Sequence, residues 1–274
     1  MTPEQVFWYN YKQDYFIEAK GVAVKPGFRQ VIHSVAQFLA EPAIPSRRVY
    51  QPPANVAALA TGLRPLDKAL ELGGLPHSTV IELVESGSQL AGGGGAIIAS
   101  RIAARVQHRQ ENVSIIDLSR EFDPWQAERC GLAAPQLLLT RPETIFEALA
   151  SLESAAKNAA LVIVMMGRVP ELLGHLEPYR RKTLLRRLQH IIHAAEGVCL
   201  LITSPAHKDP FDSANYPPGF PLAEVAAIRL WLQDENWTYH DGLATAYKTG
   251  ITVIKNELAT PGRGANIRVK LASP

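Results

Sequence analysis

Cysteine is scarce in this chain. Its 274 residues include only Cys130 and Cys199, far apart and each in an apolar context. Two thiols so placed make no disulfide scaffold, and a reducing cytoplasm is the expected compartment. Long hydrophobic runs are missing too. No uncharged apolar stretch reaches the roughly 18 residues of a membrane span, so no membrane partner is expected. The opening MTPEQVFWYNYKQDYF lacks a basic start followed by an apolar stretch, so no signal peptide is expected. An excess of one charge is also absent. The formal net charge is +2, so contact with nucleic acid would need a local basic patch. His175, His190 and His193 are not spaced with Cys or carboxylates as metal ligands, and no metal site is expected. What remains is ordinary globular material, 47% apolar and 20% charged, enough for a sizeable core.

The chain divides by composition. Residues 1–45 form an aromatic arm carrying Phe7, Trp8, Tyr9, Tyr11, Tyr15 and Phe16, followed by a helical spacing at Val31, Val35, Phe38 and Leu39. Residues 46–55 are a proline-rich linker, since proline at this density breaks helix and sheet alike. Residues 56–274 then alternate. STVIELV, VSIIDL, ALVIVMM and VCLLITS read as buried strands, and AIIASRIAARVQHR, PETIFEALASLESAAKN and RRKTLLRRLQHIIHAAEG as helices between them. Continuous apolar strands separated by helices imply a parallel sheet covered on both faces. The last third changes character. AIRLWLQ, GITVIKNEL and ANIRVKL have strand spacing with no long helix between them, which suggests added antiparallel strands.

The stretch VIELVESGSQLAGGGGAIIAS raises the question of function. A strand enters a glycine turn and leaves in a helix, and Gly87 and Gly92 have the spacing of a phosphate-binding loop. The lysine and hydroxyl residue that should follow are absent. Gly93 and Gly94 stand there, followed by Gly95. Such a turn can still attract an anion through backbone N–H groups and the helix dipole, so residual ATP or anion binding stays open. The alternative, a collapsed or mobile turn, stays open as well, because consecutive glycines are costly to order.

The motifs in order resemble the RecA recombinase core, from about Asn55 to Leu271. The carriers are NVAALATGLRPLDKALELGGLP, VSIIDLSREFDPWQAERCGL, LLLTRPETIFEALASLESAAKNAALVIVMM, AAIRLWL and ITVIKNELATP. The resemblance implies a RecA-type P-loop α/β core: a mostly parallel sheet flanked by helices, antiparallel strands at the C-terminal end, and an N-terminal arm. It also implies ATP chemistry, and there the sequence departs. The Walker B carboxylate falls on Met166, the water-orienting glutamate on Ser119, and the γ-phosphate-sensing Asn-Gln step on Ser204-Pro205. Without these groups the metal and the attacking water lose their organisers. The expectation is therefore a pseudo-ATPase with no catalytic residue and no cofactor. An alternative is a weak DNA-dependent ATPase that relocates its chemistry to Glu121 or Asp117. A second alternative is a purely structural interaction module.

Two regions match the family's DNA-facing positions. PYRRKTLLRRLQH places Arg180, Arg181, Lys182, Arg186 and Arg187 on a helix whose buried side would be Leu184, Leu185, Leu188, Ile191 and Ile192. AHKDPFDSANYPPGFPLAE adds Lys208, Phe211 and Tyr216, aromatics that can stack on unpaired bases. Asp209, Asp212 and the prolines there favour a protein contact or an ordering role. Lys255 is kept where the family has Lys-Asn-Lys, but the second lysine is Glu257, which weakens an ATP-gated subunit contact. The resemblance implies an accessory role in DNA repair, recombination, the SOS response or translesion synthesis. The partners would be DNA, single-stranded by preference, and a recombinase or DNA polymerase. The aromatic arm would serve self-association. A related resemblance is to the ImuA group, translesion-synthesis accessory proteins with eroded nucleotide sites.

Overall fold

In the computed structural model, residues 56–85, 93–167, 169–205 and 209–273 are described. The arm, the linker, Gly87, Gly92 and Lys208 lie outside them. A small antiparallel pair, β1 (Ala58–Leu59) and β2 (Leu75–Pro76), brackets α1 (Arg64–Leu70). The main sheet is built next. It uses β3 (Val80–Val84), β4 (Val113–Asp117), β5 (Leu138–Thr140), β6 (Leu161–Met165), β7 (Val198–Thr203), β8 (Ile228–His240), β9 (Leu243–Asn256) and β10 (Gly264–Lys270). Its order is β10-β9-β8-β3-β7-β6-β4-β5. The six strands from β8 to β5 run parallel, and β9 and β10 are antiparallel additions.

Side-chain alternation splits each central strand between two cores. In β6, Leu161, Ile163 and Met165 join one core, and Val162 and Val164 the other. The first core is covered by α1 and by α2 (Gly94–Gln107), whose Ile97, Ile98, Ile102 and Val106 are buried. The second is covered by α4 (Ile145–Ala156) and α6 (Pro178–Ala194). Helix starts follow local chemistry. Asp123 caps α3 (Pro124–Arg129) by accepting from Trp125 N, and Thr144 caps α4 by accepting from Glu147 N. Short helices α5 (Val169–Gly174) and α7 (Leu222–Val225) flank the segments that leave β6 and β7. Among the described residues, no helix is long and apolar enough to cross a membrane.

The strands of the C-terminal hairpin are longer than the sequence pattern suggests. β8 has 13 residues and β9 has 14, so QDENWTYH and LATAYKTG are strand. Register shifts at Arg229/Leu230, Gln233/Asn236 and Thr238/Tyr239 interrupt the period-2 pattern that would have revealed them. The turn is Asp241-Gly242, both with positive φ, the backbone that a two-residue hairpin demands. Beyond Trp231, which is level with Val84, β8 runs past the C-terminal end of β3. That carries the hairpin alongside the glycine end of α2.

Candidate functional site

α2 starts at Gly94 with Gly93 as its N-cap, and no side chain at that position caps it. The capping group comes from Glu85, the residue after β3. Its Oε1 accepts the Gly95 N–H at 2.8 Å, and its Oε2 accepts the Ser204 hydroxyl at 2.6 Å. Glu85 N also donates to Thr203 O at 2.9 Å. A helix start leaves backbone N–H groups unpaired at the positive end of its dipole, and a carboxyl there satisfies one of them. The glycines admit this approach. A Cβ on Gly95 would lie 2.5 Å from Glu85 Oε1, and one on Gly93 would sit 3.0 Å from Glu85 Cδ. On Gly94 it would meet Tyr247 Cζ at 2.6 Å and Glu235 Oε2 at 2.7 Å. Gly93, Gly94 and Gly95 are therefore a buried, filled junction.

The junction is acidic. Burial pushes the Glu85 carboxyl above the ordinary 4.5, and the Ser204 and Gly95 hydrogen bonds oppose that. Glu235 and Glu121 add a smaller upward push. Burial likewise raises the Tyr247 phenol, with Glu235 beside it reinforcing the effect.

A second buried carboxylate lies one strand-turn earlier. Parallel pairing sets Glu82 of β3 opposite Arg229 of β8, and Arg229 Nε donates to Glu82 Oε2 at 2.6 Å. Both side chains are almost fully buried. Glu82 Oε1 accepts the Thr203 hydroxyl at 2.8 Å and the Tyr216 hydroxyl at 2.5 Å. Arg229 Nη2 donates to Tyr216 Oη at 2.9 Å and to Pro210 O at 2.8 Å. A buried pair of this kind is stable only when its remaining lone pairs and protons are satisfied, and here they are. The cluster fastens the segment after β7 to the sheet. Neither residue was singled out as functional in the sequence, although an acid inside VIELV and an arginine inside AIRLWLQ were both visible there.

That segment and α6 form the walls of a groove of about 900 Å³. Lys182, Arg186 and Gln189 line one side, and Phe211, Tyr216 and a run of prolines the other. Two regions distinct in the sequence thus converge on one surface. α6 buries the expected five apolar residues. Its arginines do different things. Arg186 and Lys182 are exposed at the groove. Arg181 is half-buried and donates to the carbonyls of Leu173, Gly174 and Pro218, so it staples the segment to α5. Arg187 pairs with Glu153 on α4, and Arg180 donates to the Tyr179 hydroxyl. Tyr216 lines the groove but is committed through its hydroxyl to Glu82 and Arg229. Phe211 is 64% exposed and keeps that capacity.

Both the sequence and the fold have counterparts among known proteins. The RecA N-terminal domain family matches residues 45–178. Protein RecA of Thermus thermophilus is 26% identical over 235 residues, covering 80% of this chain and 68% of that protein. Protein RecA of Bacillus subtilis (strain 168) is 26% identical over 231 residues, covering 78% of this chain and 65% of that protein. The crystal structure of the RadB recombinase matches the fold at a TM-score of 0.56 and 18% identity, over 77% of this chain and 95% of that one. The chain is thus similar in sequence to Protein RecA and has a RecA-like fold.

Within this RecA-like fold, the positions that resemblance assigns to nucleotide chemistry hold other side chains. Met166 is buried in the second core. Ser119 donates to Asp117 Oδ1 at 2.8 Å. Asp117 also accepts from Arg120 N, Phe122 N and Arg141 Nε, and it is fully buried. It ties the turn after β4. Glu121 is exposed. Ser204 holds Glu85. Lys255 donates to Glu224 O and pairs with Glu257 at 2.9 Å, so its charge is met within the chain.

The packing of the junction sets an expectation for stability. Gly94→Ala should lower it by about 1–3 kcal/mol, because the methyl group meets the Tyr247 ring in a packed site. Gly174→Ala, where a Cβ meets nothing within 4 Å, should stay within about 0.5 kcal/mol. Urea midpoints measure both, and equal effects would contradict the filled junction. The buried carboxyl sets an expectation for pH. A carboxyl whose pKa is raised by folding favours the fold while protonated, and that contribution fades as pH climbs from about 4.5 through the folded value. Glu85→Gln should remove this fading component, so wild type should lose stability relative to the variant as pH approaches neutrality. Parallel pH profiles would contradict it.

Proposed function

We propose that this chain is a RecA-like accessory protein of DNA repair, recombination or translesion synthesis. It binds single-stranded DNA in the groove between α6 and the 209–225 segment, and it does so without hydrolysing ATP. The observation that carries the reading is the convergence of Lys182, Arg186 and Phe211 on one open groove. Two exposed cations set along a helix suit successive phosphates, and an exposed aromatic opposite them suits an unstacked base. Similarity to Protein RecA supports a recombination or repair setting.

The pseudo-ATPase part rests on the junction. A lysine at Gly93 or a threonine at Gly94 would have to displace the Glu85 or Tyr247 side chain. The competing reading, a weak ATPase using Glu121, draws on the nearness of Glu121 to Glu85, yet adds negative charge where phosphates must enter. A recombinase or polymerase partner, and self-association through the 1–45 arm, belong to the same reading. Their support is the composition of the arm.

Anisotropy titrations with a labelled oligothymidylate across a salt series test the proposal. Lys182→Ala and Arg186→Ala should each weaken binding and lower the salt slope by about one unit or less. Phe211→Ala should cost about 1–3 kcal/mol with little change in slope. Mg-ATP should alter neither. No binding at low salt, or binding indifferent to all three substitutions, would overturn the proposal.

A further inference from the structure

The Glu85 carboxyl joins two parts of the chain that are far apart in sequence. One oxygen takes the Gly95 N–H at the start of α2, and the other takes the Ser204 hydroxyl just past the end of β7. Backbone and side chain act together, since Glu85 N donates to Thr203 O at the same place. Beyond Ser204-Pro205, the next described stretch is the groove wall, from Asp209 onward. Its Pro210 carbonyl and Tyr216 hydroxyl are held by Arg229 and Glu82, and Glu82 also takes the Thr203 hydroxyl. From a single strand, Glu82 holds the end of β7 and the groove wall, and Glu85 holds the end of β7 and Ser204 just past it. Three glycines in a row make room for the carboxyl, and any larger residue at Gly93 or Gly95 would force it out.

We propose that Glu85 is a built-in ligand: its carboxyl stands permanently where an incoming anion would bind the start of α2, and through Ser204 it holds β7 and the groove wall in one arrangement with no small molecule required. The contact is a latch internal to the chain. It replaces an exchangeable ligand with a covalently attached one, at an effective concentration that no free anion can match. The consequence is a groove whose shape does not depend on nucleotide supply. This inference is independent of what the groove binds, because the latch can be read on the protein alone.

The test is hydrogen exchange on the full chain, comparing wild type with Glu85→Ala, with and without sodium formate. Formate carries the lost carboxyl group and fits the space the truncation leaves. Loss of these hydrogen bonds should speed exchange on the order of tenfold at Gly95 and in the 209–216 stretch together, and formate should restore both. Unchanged exchange in 209–216, or no rescue by formate at either place, overturns the latch. Should Glu85→Ala fail to fold, Ser204→Ala removes one arm alone. It should speed exchange in 209–216 while Gly95 stays protected, and an unaffected 209–216 stretch would again overturn the proposal. Failure of DNA binding with a positive exchange result would sink only the function proposed above.

Discussion

A carboxyl group seated on a helix N-terminus organises the middle of this molecule. The start of α2 exposes backbone N–H groups that must be satisfied. Glu85 supplies an acceptor from the end of β3, one strand away. Gly93, Gly94 and Gly95 are the complement of that choice, for the carboxyl and the Tyr247 ring occupy the volume their side chains would need. The glycine run and the glutamate are best understood as one feature. Neither makes sense without the other. A side chain at Gly93 or Gly94 would have to displace the end of the Glu85 or the Tyr247 side chain.

The groove depends on a similar device three positions upstream, on β3. Glu82 and Arg229 are paired by strand register, and Tyr216 and Thr203 complete the shell. Removing one member of a buried, hydrogen-bonded pair leaves an uncompensated charge, which costs about 3–5 kcal/mol. Such a cluster specifies one position for the segment it holds. It leaves Lys182, Arg186 and Phe211 exposed at the groove beside the acidic Glu224, while Arg181, Arg187 and Tyr216 make contacts within the scaffold.

Most of the fold was legible in the sequence. The buried strands VIELV, VSIID, LVIVM and VCLLIT stood out as apolar runs, and α6 showed its inward leucines and isoleucines by spacing alone. The outer half of the β8–β9 hairpin was not legible by period, because register shifts and polar residues hide it. The Asp241-Gly242 turn was the signal that could have found it. The site was legible only in part. Missing side chains at Gly93, Gly94, Met166 and Ser119 could be read by position, but what fills the space could not. Contacts between Glu85 and Ser204, 119 residues apart, arise from strand order, which a linear pattern does not carry. The basic run was visible, yet its division into groove-facing and stapling residues required the neighbouring carbonyls.

The central claim is that the start of α2 already holds its ligand. It is tested most directly by titrating the ¹⁵N-labelled chain with Mg-ATP and following the Gly95 amide resonance. A filled junction predicts no shift of that resonance beyond bulk salt effects up to millimolar nucleotide, about the weakest affinity worth calling binding. A saturable shift at micromolar nucleotide would show that Glu85 yields the site to phosphate, and would contradict the claim.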